Sequence, residues 1–163
     1  MTALEWDMRF LALADHIATW SKDPSTRCGA VVIDPSNRIV SVGYNGFARG
    51  VEDTPVRLAD REVKYRLTIH AERNALLFAH RNLAGCGLYA SPLPTCADCA
   101  AMIIQSGIRR VVTRYSDNPR WIEAARLAAI QYREAGVAWA VYGAPSQTFS
   151  IPGHIAYPIE VQA

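Results

Sequence analysis

A helix-forming pattern flanked by two short apolar segments constrains the fold most strongly. Residues 111–113 and 137–142 are rich in side chains that favour strands. Between them, Asn118 is suited to cap a helix that has Pro119 in its first turn and runs to Gly136. Two strands joined by a helix are expected to run parallel, because the chain must cross over the sheet between them. The sequence therefore predicts an α/β domain with a partly parallel sheet.

The first part of the chain predicts a helix followed by an antiparallel hairpin. Thr2 and Glu5 have the spacing of a capping box, and the apolar stripe that follows predicts a helix to about Trp20. Residues 30–33 and 39–42 are apolar and largely β-branched, and a turn of about four residues separates them. These two segments should pair as antiparallel strands.

Three further helices and one strand complete the predicted domain. Helical patterns cover residues 70–80 and 98–106, a short helix is expected over 56–65, and residues 88–90 predict a strand that prolines then stop. Helices are needed on both faces of a parallel sheet portion. We therefore expect a three-layer α/β/α sandwich around a mixed sheet of about five strands.

Composition favours a single soluble domain. The chain has 163 residues, half of them hydrophobic, so residues 1–143 are expected to form one domain, with residues 144–163 as a tail packed on it or on a neighbouring subunit. The formal charge is +2 and no basic run occurs, which argues against a nucleic-acid partner. Neither a membrane span nor a signal peptide is apparent, so a cytoplasmic protein without a membrane partner is expected.

Two short motifs contain the residue types of a catalytic zinc site. His70 and Glu72 supply an imidazole and a carboxylate, and Cys96 and Cys99 supply two thiols at a spacing that lets both reach one ion. Three nitrogen or sulfur ligands leave a fourth position open, as in catalytic rather than structural zinc sites. Both motifs are expected at helix N-termini, where the dipole favours an ionised Glu72 and lowers thiol pKa values. We predict His70, Cys96 and Cys99 as ligands and Glu72 as the catalytic residue.

Each motif alone is compatible with other functions. A Cys-x-x-Cys pair also occurs in redox proteins, but a redox pair does not require His70 or Glu72. A structural zinc site needs a fourth ligand, and the nearest remaining candidates, His80 and Cys86, lack matched spacing. Cys28 and Cys86 are interpreted as a small buried residue and a loop residue. A non-catalytic, zinc-stabilised binding protein is the alternative of a different class, and the presence of Glu72 argues against it.

The combined motifs match the signature of zinc nucleobase deaminases. Zinc lowers the pKa of a bound water toward ~7, which makes hydroxide available to attack the carbon that carries the amino group. Glu72 would take the proton from the water and deliver it to the ring nitrogen and to the departing ammonia. General acid–base catalysis of this kind contributes about 10²–10⁴-fold.

Two polar loops are candidates for substrate binding. The first contains Lys22, Ser25, Thr26 and Arg27 and is either a plain helix-to-strand connection or a loop whose hydroxyls and cations meet a phosphate. The second places Asn45 between two glycine positions. It is either a turn or a loop that approaches the substrate closely, since glycine permits close backbone approach.

These motifs resemble the deoxycytidylate (dCMP) deaminase family of the cytidine deaminase superfamily. The resemblance covers roughly residues 4–142, and its anchors are the segments 21–26, 43–47, 70–75, 96–100 and 103–108. The zinc motif is specific to the superfamily, and the first two segments narrow it to dCMP deaminases. The resemblance implies a sandwich of the cytidine-deaminase-like type, conversion of dCMP to dUMP with release of ammonia, and one catalytic zinc ion.

The resemblance also implies roles for individual residues and a regulated assembly. Asn45 would contact the sugar or base, the loop from Lys22 to Arg27 would lie near the phosphate, Ala71 would bind substrate, and Tyr115 would close over the site. The family is often a homohexamer activated by dCTP and inhibited by dTTP. A homo-oligomer with these effectors is therefore implied, with Mg²⁺ as an ion that would accompany a nucleotide effector.

The chain departs from the family pattern at three places. Thr95 separates Pro94 from Cys96, Ala48 stands where proline is usual, and the segment after Gly143 has no counterpart. Substrate identity consequently has rivals: cytidine, cytosine, guanine or an adenosine in tRNA. The tRNA substrate predicts a basic face, and the near-neutral charge balance argues against it.

Overall fold

The structure is a computed structural model, and it describes residues 2–143. The helices and strands, in chain order, are α1 Ala3–Ala18, β1 Gly29–Ile33, β2 Ile39–Tyr44, β3 Gly46–Phe47, α2 Pro55–Ala59, α3 Arg61–Leu67, β4 Thr68–Ile69, α4 Ala71–Phe78, β5 Gly87–Ser91, α5 Ala97–Gln105, β6 Arg110–Arg114, α6 Pro119–Glu134 and β7 Ala138–Tyr142. The predicted tail over residues 144–163 lies outside the described residues. Its packing, and the domain limit at residue 143, stay predictions.

Five strands form one mixed sheet in the order β2-β1-β5-β6-β7. Strand β1 is antiparallel to β2 and to β5, whereas β5, β6 and β7 are parallel to one another. The β1–β2 pairing confirms the predicted hairpin. The parallel β6–β7 pairing confirms the prediction from the strand–helix–strand pattern. The mixed sheet of five strands is therefore as the sequence predicts.

Helices cover both faces of this sheet. Helix α1 packs with Val31 and Tyr89 on one face, and α4, α5 and α6 pack with Val32 and Leu88 on the other. Neighbouring strand residues point to opposite faces, so Val31 and Val32 enter different cores. Every residue of β1 and β5 is buried, as expected for strands covered on both sides. These contacts confirm the three-layer α/β/α sandwich.

The helix caps predicted from the sequence are present. The Thr2 N–H donates to Glu5 Oε2 at 2.7 Å, and the Glu5 N–H donates to Thr2 Oγ1 at 3.3 Å, which completes the capping box. The Asn118 side chain accepts from the Arg120 N–H at 3.0 Å, and Pro119 occupies the first turn of α6. No helix within residues 2–143 is long and apolar enough to cross a membrane.

The connection between β2 and α4 differs from the prediction. The single short helix expected over 56–65 is two helices, α2 and α3, divided at Asp60. Asp60 ends α2 and caps α3, because its carboxylate accepts from the Val63 N–H at 3.1 Å. The two-residue strands β3 and β4 also pair with each other. Strands this short contain no detectable period, which is why the sequence did not indicate them.

Gly43 sets the distance between the sheet and α4. A Cβ atom at this position would lie 2.4 Å from the Ala71 carbonyl oxygen and 2.4 Å from the Ala75 nitrogen. Both distances are far inside van der Waals contact, so only glycine lets β2 and α4 pack this closely. Because Ala71 is the first residue of α4, the contact also positions the start of that helix.

The variant Gly43→Ala should destabilise the fold, because its methyl group would push α4 away from β2. Overpacking of this kind typically costs about 1–3 kcal/mol of unfolding free energy. Urea denaturation would measure the loss. Gly46→Ala is the matched control, since the nearest atom to an added Cβ there is 4.0 Å away. Equal losses in the two variants would contradict the close-approach argument.

Candidate active site

Two helix N-termini bring the predicted metal ligands together. His70 is the N-cap residue of α4, and Cys96 is the N-cap residue of α5, with Cys99 in the first turn. The Nδ1 atom of His70 lies 3.6 Å from the Cys96 sulfur and 3.3 Å from the Cys99 sulfur. The ligand atoms of the three residues all lie within 4.8 Å of one another. The two motifs are about two dozen residues apart in the sequence, and the fold brings their ligand atoms together.

The separations suit a tetrahedral zinc ion. Zinc binds thiolate sulfur at about 2.3 Å and imidazole nitrogen at about 2.0 Å, which gives a ligand–ligand separation of about 3.6 Å. The donor set of two thiols and one imidazole is also the set that zinc prefers. The residues present therefore fit the ion that the sequence motifs predict.

The electrostatics of the site favour negative charge on sulfur. The hydrogen bond from Cys99, assisted by His70, lowers the pKa of Cys96 to about 3. The same hydrogen bond raises the pKa of Cys99, and the hydrogen bond with Cys96 raises the pKa of His70. The groups thus share protons that a divalent cation would replace.

Arg73 adds a fixed positive charge beside the thiols. Burial alone would lower the pKa of its guanidinium, but its interactions with the neighbouring Cys99 and Cys96 raise it. The guanidinium also pairs with Asp98 at 3.2 Å. Arg73 lies on α4 and Asp98 on α5, so the pair links the two helices that carry the candidate ligands.

Glu72 is buried next to the three ligand residues. The residue is 7% exposed. Burial raises the pKa of its carboxyl, and this effect exceeds the opposing influence of His70. The sequence led us to expect that the helix dipole favours an ionised Glu72, but loss of hydration outweighs the dipole here. A carboxyl with a raised pKa is suited to accept and return a proton.

A cleft of about 340 Å³ opens onto this group. Polar and apolar side chains both contribute to its lining. The lining residues are Asp23, Thr26, Cys28, Gly29, Asn45, Tyr65, Thr68, His70, Ala71, Glu72, Ala90, Ser91, Leu93, Pro94, Cys96, Arg120, Trp121 and Ala124. The volume falls within the range of small-molecule sites.

The cleft contains only some of the predicted substrate-binding residues. Asn45, Thr26 and Ala71 line it together with His70 and Glu72.

The other four predicted residues, Lys22, Ser25, Arg27 and Tyr115, are absent from the described cleft lining. Lys22 is exposed and pairs with Asp53 at 2.8 Å. The Tyr115 backbone N–H donates to the Tyr142 carbonyl at 2.8 Å. The predicted loop therefore reaches the cleft through Thr26 rather than through its cations.

The Asn45 side chain holds the neighbouring loop in place. Its Oδ1 accepts from the Cys28 N–H at 2.7 Å, and its Nδ2 donates to the Thr26 carbonyl at 2.9 Å. The Ser21 hydroxyl donates to the Asn45 carbonyl at 2.8 Å. Asn45 thus shapes the cleft wall through backbone contacts, in addition to lining it.

Cys86 is a loop residue as interpreted from the sequence, whereas Cys28, interpreted as a small buried residue, is only half-buried. Cys86 is buried and His80 is exposed at the end of α4. Cys28 lines the cleft, and burial raises the pKa of its thiol to about 12. Its sulfur is not part of the group of ligand atoms formed by His70, Cys96 and Cys99.

Sequence reasoning missed a buried ion pair that supports the loop. Lys64 of α3 donates to Asp23 Oδ1 at 3.0 Å, and both side chains are less than a tenth exposed. Asp23 Oδ1 also accepts from the backbone N–H groups of Ser25 and Thr26, at 2.8 and 2.9 Å. The Asp-Pro-Ser-Thr sequence is typical of a side-chain-capped turn and could have identified Asp23. Nothing local to Lys64 indicates a partner 41 residues away.

Thr95, the residue inserted before Cys96, is anchored by α6. It is fully buried, and its hydroxyl forms a 2.9 Å hydrogen bond with the hydroxyl of Tyr132. The Gln131 side chain donates to the Ala97 carbonyl at 3.0 Å. The altered turn therefore ends in a fixed position, and Cys96 still meets Cys99 and His70.

Comparison with known proteins decides the family. Residues 4–115 match the family model described as "Cytidine and deoxycytidylate deaminase zinc-binding region". The chain belongs to this deaminase family. The family and the His/Cys/Cys group together support zinc as the metal.

Relatives and solved structures agree with this assignment. An uncharacterized deaminase of Aliivibrio fischeri is 45% identical over 136 residues, covering 82% of this chain and 90% of that protein. Deoxycytidylate deaminase of Mus musculus is 37% identical over 140 residues, covering 82% of this chain and 78% of that one. The crystal structure of dCMP deaminase from cyanophage S-TIM5 in complex with dCMP and dUMP is similar in fold, with a TM-score of 0.71, 23% identity, and coverage of 86% of this chain and 98% of that one.

The variant Lys64→Met should be strongly destabilising, because it leaves the Asp23 carboxylate buried without its cation. Breaking such a pair costs about 3–5 kcal/mol of unfolding free energy. Burial opposes ionisation of Asp23, but the N–H groups of Thr26 and Ser25 and the Lys64 ammonium hold its pKa below the ordinary value. The stabilisation is thus present above the ordinary pKa of about 3.9 and is lost as the pH falls through the lower folded value.

Urea denaturation at pH 7 and at acidic pH would test this. Lys22→Met is the matched control, since its pair with Asp53 is exposed and screened by solvent. A loss for Lys64→Met no larger than for Lys22→Met would contradict the role of the buried pair.

Proposed function

We propose that this protein catalyses the hydrolytic deamination of dCMP to dUMP, with release of ammonia. The observation that carries the proposal is the meeting of His70, Cys96 and Cys99 beside the buried carboxyl of Glu72, at the floor of a cleft. Support for the substrate comes from relatives, since deoxycytidylate deaminases of Mus musculus and Homo sapiens are 37% and 36% identical to the chain.

His70, Cys96 and Cys99 would hold one zinc ion. As thiolates, Cys96 and Cys99 would balance the charge of the ion together with the neutral imidazole of His70. When bound, zinc would act as a Lewis acid and lower the pKa of water toward about 7. Arg73 beside Cys99 would offset the negative charge of the thiolates.

Glu72 would carry the protons. Its buried carboxylate takes a proton from the attacking water and holds it, since burial raises its pKa. It then gives this proton to the ring nitrogen beside the reacting carbon. The second proton of the water, which is still on the new hydroxyl group of the carbon, passes by the same carboxyl to the amino group. The carbon–nitrogen bond then breaks, ammonia leaves, and the hydroxyl becomes the carbonyl oxygen. The oxygen of water stays on the carbon, and Glu72 ends in its starting state.

The cleft wall would exclude water and orient the base. Leu93, Pro94, Trp121 and Ala124 contribute apolar surface to the cleft lining. A planar pyrimidine would pack against this surface beside the ligand group, and its sugar and phosphate would then extend toward the mouth. Apolar walls with a few placed polar groups are typical of small-molecule sites.

Regulation and assembly stay predictions from the resemblance. These are a homo-oligomer (a hexamer in many family members), activation by dCTP, inhibition by dTTP and a cytoplasmic location. The structure gives no support for the Mg²⁺ ion expected with an effector. Within residues 2–143, the cluster of metal-binding side chains is the one formed by His70, Cys96 and Cys99.

The variant Glu72→Gln should keep zinc and fold but lose nearly all turnover, because the amide cannot shuttle protons. General acid–base catalysis is worth about 10²–10⁴-fold, which sets the smallest loss expected. His70→Ala should lose the metal as well. Ammonia release and the zinc content of the purified proteins would be measured together. Near-normal ammonia release by Glu72→Gln would rule out the proton-transfer role.

A substrate panel should identify dCMP as the preferred compound. The panel contains dCMP, CMP, deoxycytidine, cytosine, guanine and adenosine, with kcat/KM measured for each. Preference for a free base or a nucleoside over dCMP would rule out the proposed substrate while leaving the deaminase chemistry in place. Rates measured against dCTP and dTTP on the same preparation would test regulation.

A further inference from the structure

The wall of the cleft contains an arginine held between two aromatic rings. The guanidinium carbon of Arg120 lies 4.5 Å from the ring centroid of Tyr65 and 4.7 Å from that of Trp121. Its Nη1 donates a 2.8 Å hydrogen bond to the Tyr65 hydroxyl. All three residues line the cleft that has Glu72 at its floor. Arg120 is exposed whereas Glu72 is buried, which places the cation at the mouth.

Three other cations near the cleft are already paired with carboxylates. Their pairs are Lys22–Asp53 at 2.8 Å, Lys64–Asp23 at 3.0 Å and Arg73–Asp98 at 3.2 Å. Within residues 2–143, no ion pair of this kind includes Arg120, and it is the one lysine or arginine in the cleft lining. A negatively charged ligand in the cleft would therefore meet Arg120 without first displacing a carboxylate.

The polar loop after α1 is a weaker candidate for the same task. Lys22 and Arg27 are outside the described cleft lining. Arg27 Nε donates to the Asp23 carbonyl at 3.3 Å, so it turns back onto its own loop. Lys22 is exposed and engaged with Asp53. Neither side chain has the fixed position that the two aromatic rings give Arg120.

We propose that Arg120 binds the phosphate monoester of the nucleotide substrate, an inference that rests on the proposed function. A guanidinium can donate two parallel hydrogen bonds to one phosphate, and Tyr65 occupies only one of its donors. The rings hold the side chain in place before the ligand arrives, so less side-chain entropy is lost on binding. Discrimination between a nucleotide and its nucleoside then resides at the start of α6.

The variant Arg120→Gln tests this assignment with dCMP and deoxycytidine as paired substrates. The KM for dCMP should rise about 10- to 100-fold, which is the usual effect of losing a charge-assisted hydrogen bond. The kcat for dCMP and both constants for deoxycytidine should change little, because the phosphate is remote from the reacting carbon. Arg120→Lys should fall between, since lysine keeps the charge but not the planar pair of donors.

Arg126→Gln is the matched control. It removes the same charge from the same helix, but Arg126 pairs with Glu123 at 2.8 Å and is absent from the cleft lining. Its constants for dCMP should equal those of the wild type. Lys22→Gln and Arg27→Gln test the alternative that the loop after α1 binds the phosphate. A rise in the KM for dCMP in these two variants but not in Arg120→Gln would overturn the assignment to Arg120.

Calorimetric titration with dUMP, deoxyuridine and inorganic phosphate gives a readout independent of turnover. The wild type should bind dUMP more tightly than deoxyuridine, and Arg120→Gln should abolish the difference. Preference for dCMP that survives intact in Arg120→Gln would overturn this inference alone. A wild type that treats dCMP and deoxycytidine alike, and dUMP and deoxyuridine alike, would overturn the nucleotide substrate and this inference together.

Discussion

The packing of α4 against the sheet is the constraint on which the site depends. Gly43 allows β2 to approach the first turn of α4 closely enough that its backbone touches Ala71 and Ala75. That turn carries Glu72 and is capped by His70. A helix displaced outward by a methyl group would separate the imidazole from the two sulfur atoms that α5 supplies. The position of His70 relative to the two cysteines therefore depends on a backbone contact in which none of the three residues takes part.

Much of the fold could be predicted because local chemistry determines it. The Thr2–Glu5 capping box and the Asn118–Pro119 start of α6 are both formed by neighbours in sequence, and both are present. The division of the connecting helix at Asp60 was missed, although a capping aspartate inside a predicted helix is a usable signal.

Contacts in the site that the metal chemistry requires could be predicted from the sequence. Contacts that arise from packing alone could not. His70, Cys96 and Cys99 can serve a zinc ion only if they converge, so their residue types indicated the contact. The pairs Lys64–Asp23 and Thr95–Tyr132 join residues 41 and 37 positions apart. Nothing in the sequence around either residue of a pair indicates its partner. Charge distribution was similarly hidden, because the sequence does not show which cations are already paired.

The bond between Thr95 and Tyr132 bears on how such proteins are recognised. One extra residue before a metal-binding cysteine ordinarily threatens the position of its sulfur, but here the added side chain is tied into the core and both sulfur atoms remain in register. The length of this turn is thus free to vary as long as something buried holds its last residue. A search pattern that demands proline directly before the cysteine would discard a chain such as this one, although its three candidate ligands still meet.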